Sequence, residues 1–354
     1  NMVRAGGQDG LMGLAVHPQL LTGKPYVYIS YTYQSTSSTV RKTRIARYTY
    51  NSTTKTLGDP VTILENITGS NDHNSARLAI GPDLKLYYTV GDMGAGQFDN
   101  INRTNNAQNL DILEGKILRL NTELTNNSWI PADNPFSSSG QKTPVYTFGH
   151  RNPQGLVWGN VNGVDILYSS EHGPYSDDEI NIIETGRNYG WPQVSGFCDG
   201  NYNGRTIGGF NVVSEQDNCT ALNAKEPLRS LFPAANPPTG GDNMTWPSTG
   251  PSGTDFYGST AIPGWQNSLL VAQLKNGTLT RFKLSNDGLS IISDTIHYFR
   301  GKGRFRDVVV SPDGLKIYLA CDSSGSTSGP TGGVTTAPAN AGKIATIARN
   351  TEPG

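Results

Sequence analysis

The chain has 354 residues and a formal net charge of -1, from 28 Lys and Arg against 29 Asp and Glu. No global positive field therefore recruits nucleic acid or an anionic membrane. Only 35% of the residues are hydrophobic, whereas Gly (42) and Pro (21) are abundant; this argues against a helical globule and suits many short strands joined by turns. No apolar run approaches the roughly 18 residues that a membrane-spanning helix needs, and residues 1–10 carry no signal-peptide pattern.

Along the chain one unit recurs: an apolar run, a turn of Pro, Gly, Asn or Asp, then a second apolar or alternating run. It first appears as Gly13-Leu14-Ala15-Val16 leading to Tyr26-Val27-Tyr28-Ile29, then as Leu78-Ala79-Ile80-Gly81-Pro82-Asp83 leading to Leu86-Tyr87-Tyr88. It returns as Gly155-Leu156-Val157-Trp158 leading to Ile166-Leu167-Tyr168, around Ser268-Leu269-Leu270-Val271, and as Val308-Val309-Val310-Ser311-Pro312-Asp313-Gly314 leading to Ile317-Tyr318-Leu319. Turn chemistry and period make each a hairpin. Outer-strand candidates lie between them at Lys116-Ile117-Leu118-Arg119-Leu120 and Thr278-Leu279-Thr280-Arg281-Phe282. Four-stranded units repeated around a centre predict an all-β propeller of antiparallel blades, one domain over residues 1–354.

Two segments break the pattern, near 100–113 and 196–253, rich in Asn, Gly, Pro, Ser and Thr. Both read as ordered long loops, which compact domains seldom keep without a role. Residues 323–340 read as a mobile crossing to a last strand at 343–347. Five blade signals are visible and the chain opens in a loop, so closure is expected to involve about one N-terminal blade absent from this sequence.

Cys198 and Cys219 can pair in an oxidising compartment, while Cys321 follows an apolar run and reads as a buried thiol. Asn-x-Ser/Thr triplets occur at the frequency expected of an Asn-, Ser- and Thr-rich chain and carry no weight.

Chemistry gathers in the loops. Asp72-His73 precedes a strand, and a carboxylate beside an imidazole suits proton transfer near neutral pH, although a solvated loop His reads the same way. Gln8 heads another strand. In Gly149-His150-Arg151-Asn152-Pro153-Gln154-Gly155-Leu156, a cation before a Pro-locked turn is placed to meet an anion or a carbonyl oxygen. The stretch Ser170-Glu171-His172-Gly173-Pro174-Tyr175-Ser176-Asp177-Asp178-Glu179 offers turn carbonyls and carboxylates, the hard ligands Ca²⁺ prefers, or else a solvated acidic turn. Lys275, Arg304 and Arg306 would together suit a polycarboxylate ligand; ordinary surface charge is the alternative.

Gly6-Gly7-Gln8-Asp9-Gly10-Leu11, Asp72-His73, residues 149–156, Gly173-Pro174 with Ser176-Asp177-Asp178-Glu179, Asn188-Tyr189-Gly190-Trp191-Pro192 and Arg304-Phe305-Arg306-Asp307 occur in this order. Together they resemble the soluble quinoprotein glucose dehydrogenases, which use pyrroloquinoline quinone (PQQ). The resemblance implies a six-bladed propeller that oxidises the C1 hydroxyl of glucose or a related aldose to the lactone and passes electrons to an external acceptor. His73 would be the base, supported by Asp72. Gln8, Asp72 and Trp246 would hold the sugar, and Arg151 would face the sugar and quinone oxygens. Asn152, Lys275, Arg304 and Arg306 would hold PQQ. The Gly173 and Pro174 carbonyls would ligate its Ca²⁺, and Asp178, Glu179 and Tyr189 would lie near a second Ca²⁺. A periplasmic or secreted location and a homodimer are further expectations from the resemblance. The chain departs from it near Trp246, where Asn243 and Thr245 replace a Tyr and a disulfide cysteine, and in a shorter 100–113 loop, so the sugar preference is open. The alternatives are a calcium-dependent propeller lactonase, which would not need Lys275, Arg304 and Arg306 together, and a non-catalytic carbohydrate-binding propeller, in which removing His73 would leave ligand binding intact.

Overall fold

The computed structural model describes residues 2–4, 6–34, 40–238, 243–292, 295–323, 325, 327–329, 332–335 and 338–348. Among them the recurring hairpins form five antiparallel blades. The first contains Leu11–Val16, Tyr26–Gln34, Arg41–Asn51 and Thr56–Thr68, with Met2–Val3 added beside Tyr26–Gln34. The second contains Ser75–Ile80, Lys85–Val90, Lys116–Asn121 and Val145–Phe148. Pro153–Val161, Val164–Glu171, Asp178–Ile182 and Arg229–Leu231 build the third; Pro251–Tyr257, Ser268–Gln273, Thr278–Lys283 and Ile296–Tyr298 build the fourth. The fifth has three described strands, Phe305–Val310, Lys316–Cys321 and Ile344–Ala348. Five blades are thus seen among the described residues, as many as the sequence signals; the sixth that the resemblance implies is not among them.

The strands read as nearly continuous apolar runs because both faces of the middle blades are covered. Successive side chains on a strand point to opposite faces. Accordingly Leu86 and Tyr88 pack toward the first blade, while Tyr87 between them packs against Leu156 and Leu167 of the third. Leu269 and Val271 likewise face Tyr168 and Ile180, while Leu270 and Ala272 face Val308, Ile317 and Leu319. Buried tyrosines tie the first, third and fourth blades to a turn of the next: the hydroxyls of Tyr28, Tyr168 and Tyr257 donate to the carbonyls of Thr122, Gly288 and Gly314 at 3.0, 2.9 and 2.7 Å. Among the described residues, Leu14 and Val16 on the first blade and Val309 on the fifth are exposed. A groove of about 380 Å³ lies between Leu11 and Met12 of the first blade and Arg306 and Asp307 of the fifth.

The 196–253 segment, expected to be loop alone, contains the helix Glu215–Leu222 and the outer strand of the third blade, Arg229–Leu231. The signals were local: Ser214 caps the helix by accepting from the Asp217 N–H at 3.2 Å, acidic residues fill the first turn, and Asn223 ends it in the left-handed region. Cys198 and Cys219 are joined and anchor this helix, while Cys321 is a buried free thiol. In the 323–340 crossing, Thr327–Gly329 pairs with Gly332–Thr335.

Glu215 is buried, and its carboxylate accepts the backbone N–H groups of Ser195 and Gly200, both at 3.0 Å. Burial pushes its pKa up from 4.5 to about 7. The folded protein therefore holds this proton more tightly than the unfolded chain, so the contribution is complete below about pH 4.5 and is lost as pH rises through about 7. Glu215→Gln should flatten that fall; melting temperatures measured from pH 4.5 to 8 test it, and parallel profiles for variant and parent would refute it.

Candidate active site

Five inner strands define where chemistry can collect. Each begins next to the end of its blade's second strand, as the pairs Ser75 with Val90, Pro153 with Glu171, Pro251 with Gln273 and Phe305 with Cys321 show. Residues just before a first strand and just after a second strand therefore share one rim. Gln8, Asp72-His73, Arg151-Asn152, Trp246 and Arg304 precede first strands, whereas Asp92, His172-Gly173-Pro174, Lys275 and Asp322 follow second strands. A cavity of about 210 Å³ at this rim is lined by His73, Arg151, Gly173, Pro174, Trp246, Lys275 and Arg304, among others.

His73 has left-handed backbone (φ 49°) and is 5% exposed. Its N–H donates to Asp72 Oδ1 at 3.0 Å and to Gln8 Oε1 at 3.2 Å, so these three predicted residues do meet. The structure adds Asp92, which the sequence reading missed. Its Oδ1 lies 2.7 Å from His73 Nδ1, and the carboxylate is fully buried. Asp92 also accepts from Gly94 N, Gln97 Nε2, Asn105 Nδ2 and Trp191 Nε1 at 2.9, 3.2, 3.2 and 2.8 Å. A carboxylate held by so many donors is an acceptor only, so Nδ1 carries the imidazole proton and Nε2 keeps its lone pair. A glycine is required alongside, since a Cβ at Gly91 would stand 2.0 Å from the His73 carbonyl oxygen.

Arg151 is 5% exposed. Its Nε donates to Gln97 Oε1 at 3.1 Å, Nη2 reaches the same oxygen, and Nη1 donates to the His172 carbonyl at 3.1 Å. The guanidinium lies 5.4 Å from the Trp191 ring centroid, and the Asp92 N–H donates to the Arg151 carbonyl at 2.7 Å. Asn152 is buried; its Oδ1 accepts from Ser75 Oγ at 2.9 Å, whereas its Nδ2 has no partner. His172 Nε2 is likewise buried and unpartnered, and burial, then the neighbouring Arg151 charge, hold that imidazole well below its usual pKa.

The predicted cations divide. Lys275 donates to the Trp246 carbonyl. Arg304 Nε donates to Asp322 Oδ2 at 3.2 Å, and Arg306 Nε and Nη2 reach the same carboxylate at 2.9 and 2.8 Å. Asp322, also missed in the sequence reading, thus offsets one of these three charges, and burial lowers the pKa of Arg304. Arg306 lines the adjoining groove with Gln8, Gln154 and Asp322 rather than the His73 cavity. Trp246 stacks on Phe98 (5.7 Å between centroids, 23°) and meets the Tyr175 edge at 4.7 Å; the Asn243 side chain lies outside the described residues.

The acidic turn also divides. Asp178 and Glu179 are neighbours on a strand and point to opposite faces. Asp178 accepts from Gly173 N at 3.0 Å, Thr249 N at 2.6 Å, Thr249 Oγ1 at 3.0 Å and Ser248 Oγ at 3.1 Å, which fixes the Gly173-Pro174 turn to the loop before the fourth blade. Glu179 instead accepts from Gly196 N at 2.8 Å and shares a small cavity with Glu171, Gly173 and Tyr189. Burial, with the Glu171 charge beside it, pushes the Glu179 pKa up. The Tyr189 hydroxyl is taken, donating to the Ile182 carbonyl at 2.7 Å.

The His73–Asp92 pair, the buried Arg151 guanidinium, Lys275 and Arg304 thus gather at one rim of a β-propeller. The glucose/sorbosone dehydrogenase family model matches residues 1–226 and 234–328, and the chain belongs to that family. It is 39% identical to the quinoprotein glucose dehydrogenase B of Acinetobacter calcoaceticus, over 96% of this chain and 78% of that protein. It is also 31% identical to the aldose sugar dehydrogenase YliI of Escherichia coli, over 72% of this chain and 59% of that protein. Among solved structures, the PQQ-bound aldose sugar dehydrogenase of Streptomyces coelicolor superposes with a TM-score of 0.65 at 28% identity, covering 94% of this chain and 80% of that one.

Proposed function

We propose that the protein oxidises the C1 hydroxyl of glucose or a related aldose to the lactone, with PQQ and Ca²⁺ as cofactors and an external acceptor for the electrons. The observation that carries this reading is the His73–Asp92 pair, 2.7 Å apart, in one cavity with Arg151, Lys275 and Arg304. A tricarboxylate quinone fits these residues: Asn152 Nδ2 is a buried donor without a partner, and Arg304 and Arg306 share the carboxylate of Asp322 while Lys275, which donates to the Trp246 carbonyl, lines the same cavity as Arg304. PQQ would supply the two-electron acceptor.

The protein's own part follows from position. His73 Nε2 takes the proton from the sugar hydroxyl, and Asp92 fixes the tautomer and steadies the imidazolium that forms. Arg151, already held by Gln97 and the His172 carbonyl, stabilises negative charge on the reacting oxygen without reorganising. Gln8 and Asp72 offer donor and acceptor to the neighbouring hydroxyl, and Trp246 with Phe98 gives the sugar an apolar wall. The Gly173 and Pro174 carbonyls would hold the cofactor's Ca²⁺. A second Ca²⁺ beside Glu179 and Tyr189 would neutralise the buried Glu171–Glu179 charge; Asp178, spent on Thr249, Ser248 and Gly173, would stay outside it.

Two finer readings accompany this one. The exposed Leu14 and Val16 of the first blade and Val309 of the fifth, with the groove between these blades, suit a sixth four-stranded blade covering them. The Cys198–Cys219 bond supports an oxidising location, periplasmic or secreted; among the described residues no helix is long and apolar enough to cross a membrane.

Adding PQQ and Ca²⁺ to the cofactor-free protein should give a bound absorbance that bleaches on addition of glucose and supports reduction of an artificial dye. No spectral change with any aldose would exclude this function.

A further inference from the structure

The motif that carries Arg151 and Asn152 is held from behind by residues with no part in the proton step. Glu171, the last residue of Val164–Glu171, pairs across the third blade with Pro153 and is 3% exposed. Its Oε1 accepts the backbone N–H of both Arg151 and Asn152, the second at 3.1 Å. Two successive amides converging on one anion make a preorganised nest. Its Oε2 faces His150 Nδ1 at 3.0 Å, and His150 Nε2 lies 2.9 Å from Thr147 Oγ1. The series Thr147, His150, Glu171 has the residue types of a nucleophilic triad, but Thr147 and His150 are both fully buried, and His150 is stacked on Tyr189 at 4.5 Å. No substrate reaches them, which leaves a supporting role.

The next residue completes the hold. The His172 carbonyl accepts from Arg151 Nη1 at 3.1 Å, and the His172 N–H donates to the Asn152 carbonyl at 3.3 Å. Glu171 thus fixes the backbone of Arg151 while its neighbour fixes the guanidinium. A long side chain amplifies any rotation at its Cα, and a shift of about 1 Å at a reacting group costs about 10²-fold in rate.

We propose that Glu171, fixed by His150 and Thr147, is the positioning residue that sets Arg151 and Asn152 at the cofactor and sugar cavity. The proposal rests on reading that cavity as a quinone site. Glu171 acts through two backbone amides, so its loss loosens residues 149–155 whether or not cofactor is present, and weakens cofactor binding through Arg151.

Five proteins test it: the parent, Glu171→Ala, Glu171→Gln, Arg151→Ala and the double variant Glu171→Ala with Arg151→Ala. Hydrogen exchange over residues 149–155 is measured without cofactor, and PQQ affinity with Ca²⁺ by quenching of protein fluorescence. Glu171→Ala should speed exchange of the Arg151 and Asn152 amides and weaken PQQ binding by about 10- to 100-fold, as losses of outer-layer partners do. Glu171→Gln keeps an acceptor oxygen and should recover most of both. On the Arg151→Ala background, Glu171→Ala should cost less than it does alone, the mark of coupled residues. Unchanged exchange, no recovery by Gln, or fully additive losses would each overturn the proposal. A parent that binds no PQQ but shows the exchange difference would sink the cofactor reading and leave the hold of Glu171 on the loop standing.

Discussion

His73→Ala is expected to lower turnover by about 10²–10⁴-fold, the usual cost of losing a general base, while PQQ remains bound. The base is removed but Asn152, Lys275, Arg304 and Arg306 are untouched, so affinity for the cofactor should change little. Asp92→Asn should imitate much of this loss without removing the imidazole. An amide in place of the carboxylate can present N–H to Nδ1, which moves the ring proton to Nε2 and takes away the lone pair that accepts the sugar proton. Trp191, Gln97 and Asn105 also lose a charged acceptor. Steady-state kinetics beside PQQ titration separate the effects. Unaltered turnover in His73→Ala would remove that residue from the mechanism, and a turnover in Asp92→Asn equal to the parent's would show that the tautomer is set elsewhere.

Asp178→Ala should be the most destabilising single change at the rim, costing about 3–4 kcal/mol. It strips the acceptor from Gly173 N, Thr249 N, Thr249 Oγ1 and Ser248 Oγ at once, and a buried donor left without a partner costs about 1–3 kcal/mol. The small cavity also adds to the loss. Because burial raises the Asp178 pKa, part of the gain from those bonds is already offset in the native protein. Urea unfolding with and without Ca²⁺ checks the size and the cause. A loss that is larger with Ca²⁺ than without it would place Asp178 at a metal, whereas one that is equal in both conditions identifies a structural tie between the third and fourth blades.

The topological position of Asp92 explains why it was overlooked. His73 announces itself by its neighbour Asp72, but its working partner lies 19 residues on, just past the apolar strand Lys85–Val90. Asp322 follows Lys316–Cys321 in the same way. The signal was legible: when a first strand is preceded by a functional residue, the residue following its antiparallel neighbour lies on the same rim. Blade hairpins were readable because their two-residue period and turn chemistry are local. The helix Glu215–Leu222 and the strand Arg229–Leu231 were not, being short and held by a disulfide, capping and cross-blade contacts.

By itself the sequence determined the all-β blades, the motif order and the residue types that can move a proton or hold an anion, since each depends on chemistry within a few residues of chain. Only the tertiary structure decided that Asp92 partners His73, that Arg304 and Arg306 share Asp322, that Asp178 and Glu179 part to opposite faces, and that Glu171 grips the Arg151 loop. Those outcomes depend on which strand ends meet at one rim, and antiparallel pairing brings together residues tens of positions apart without leaving a mark in local composition.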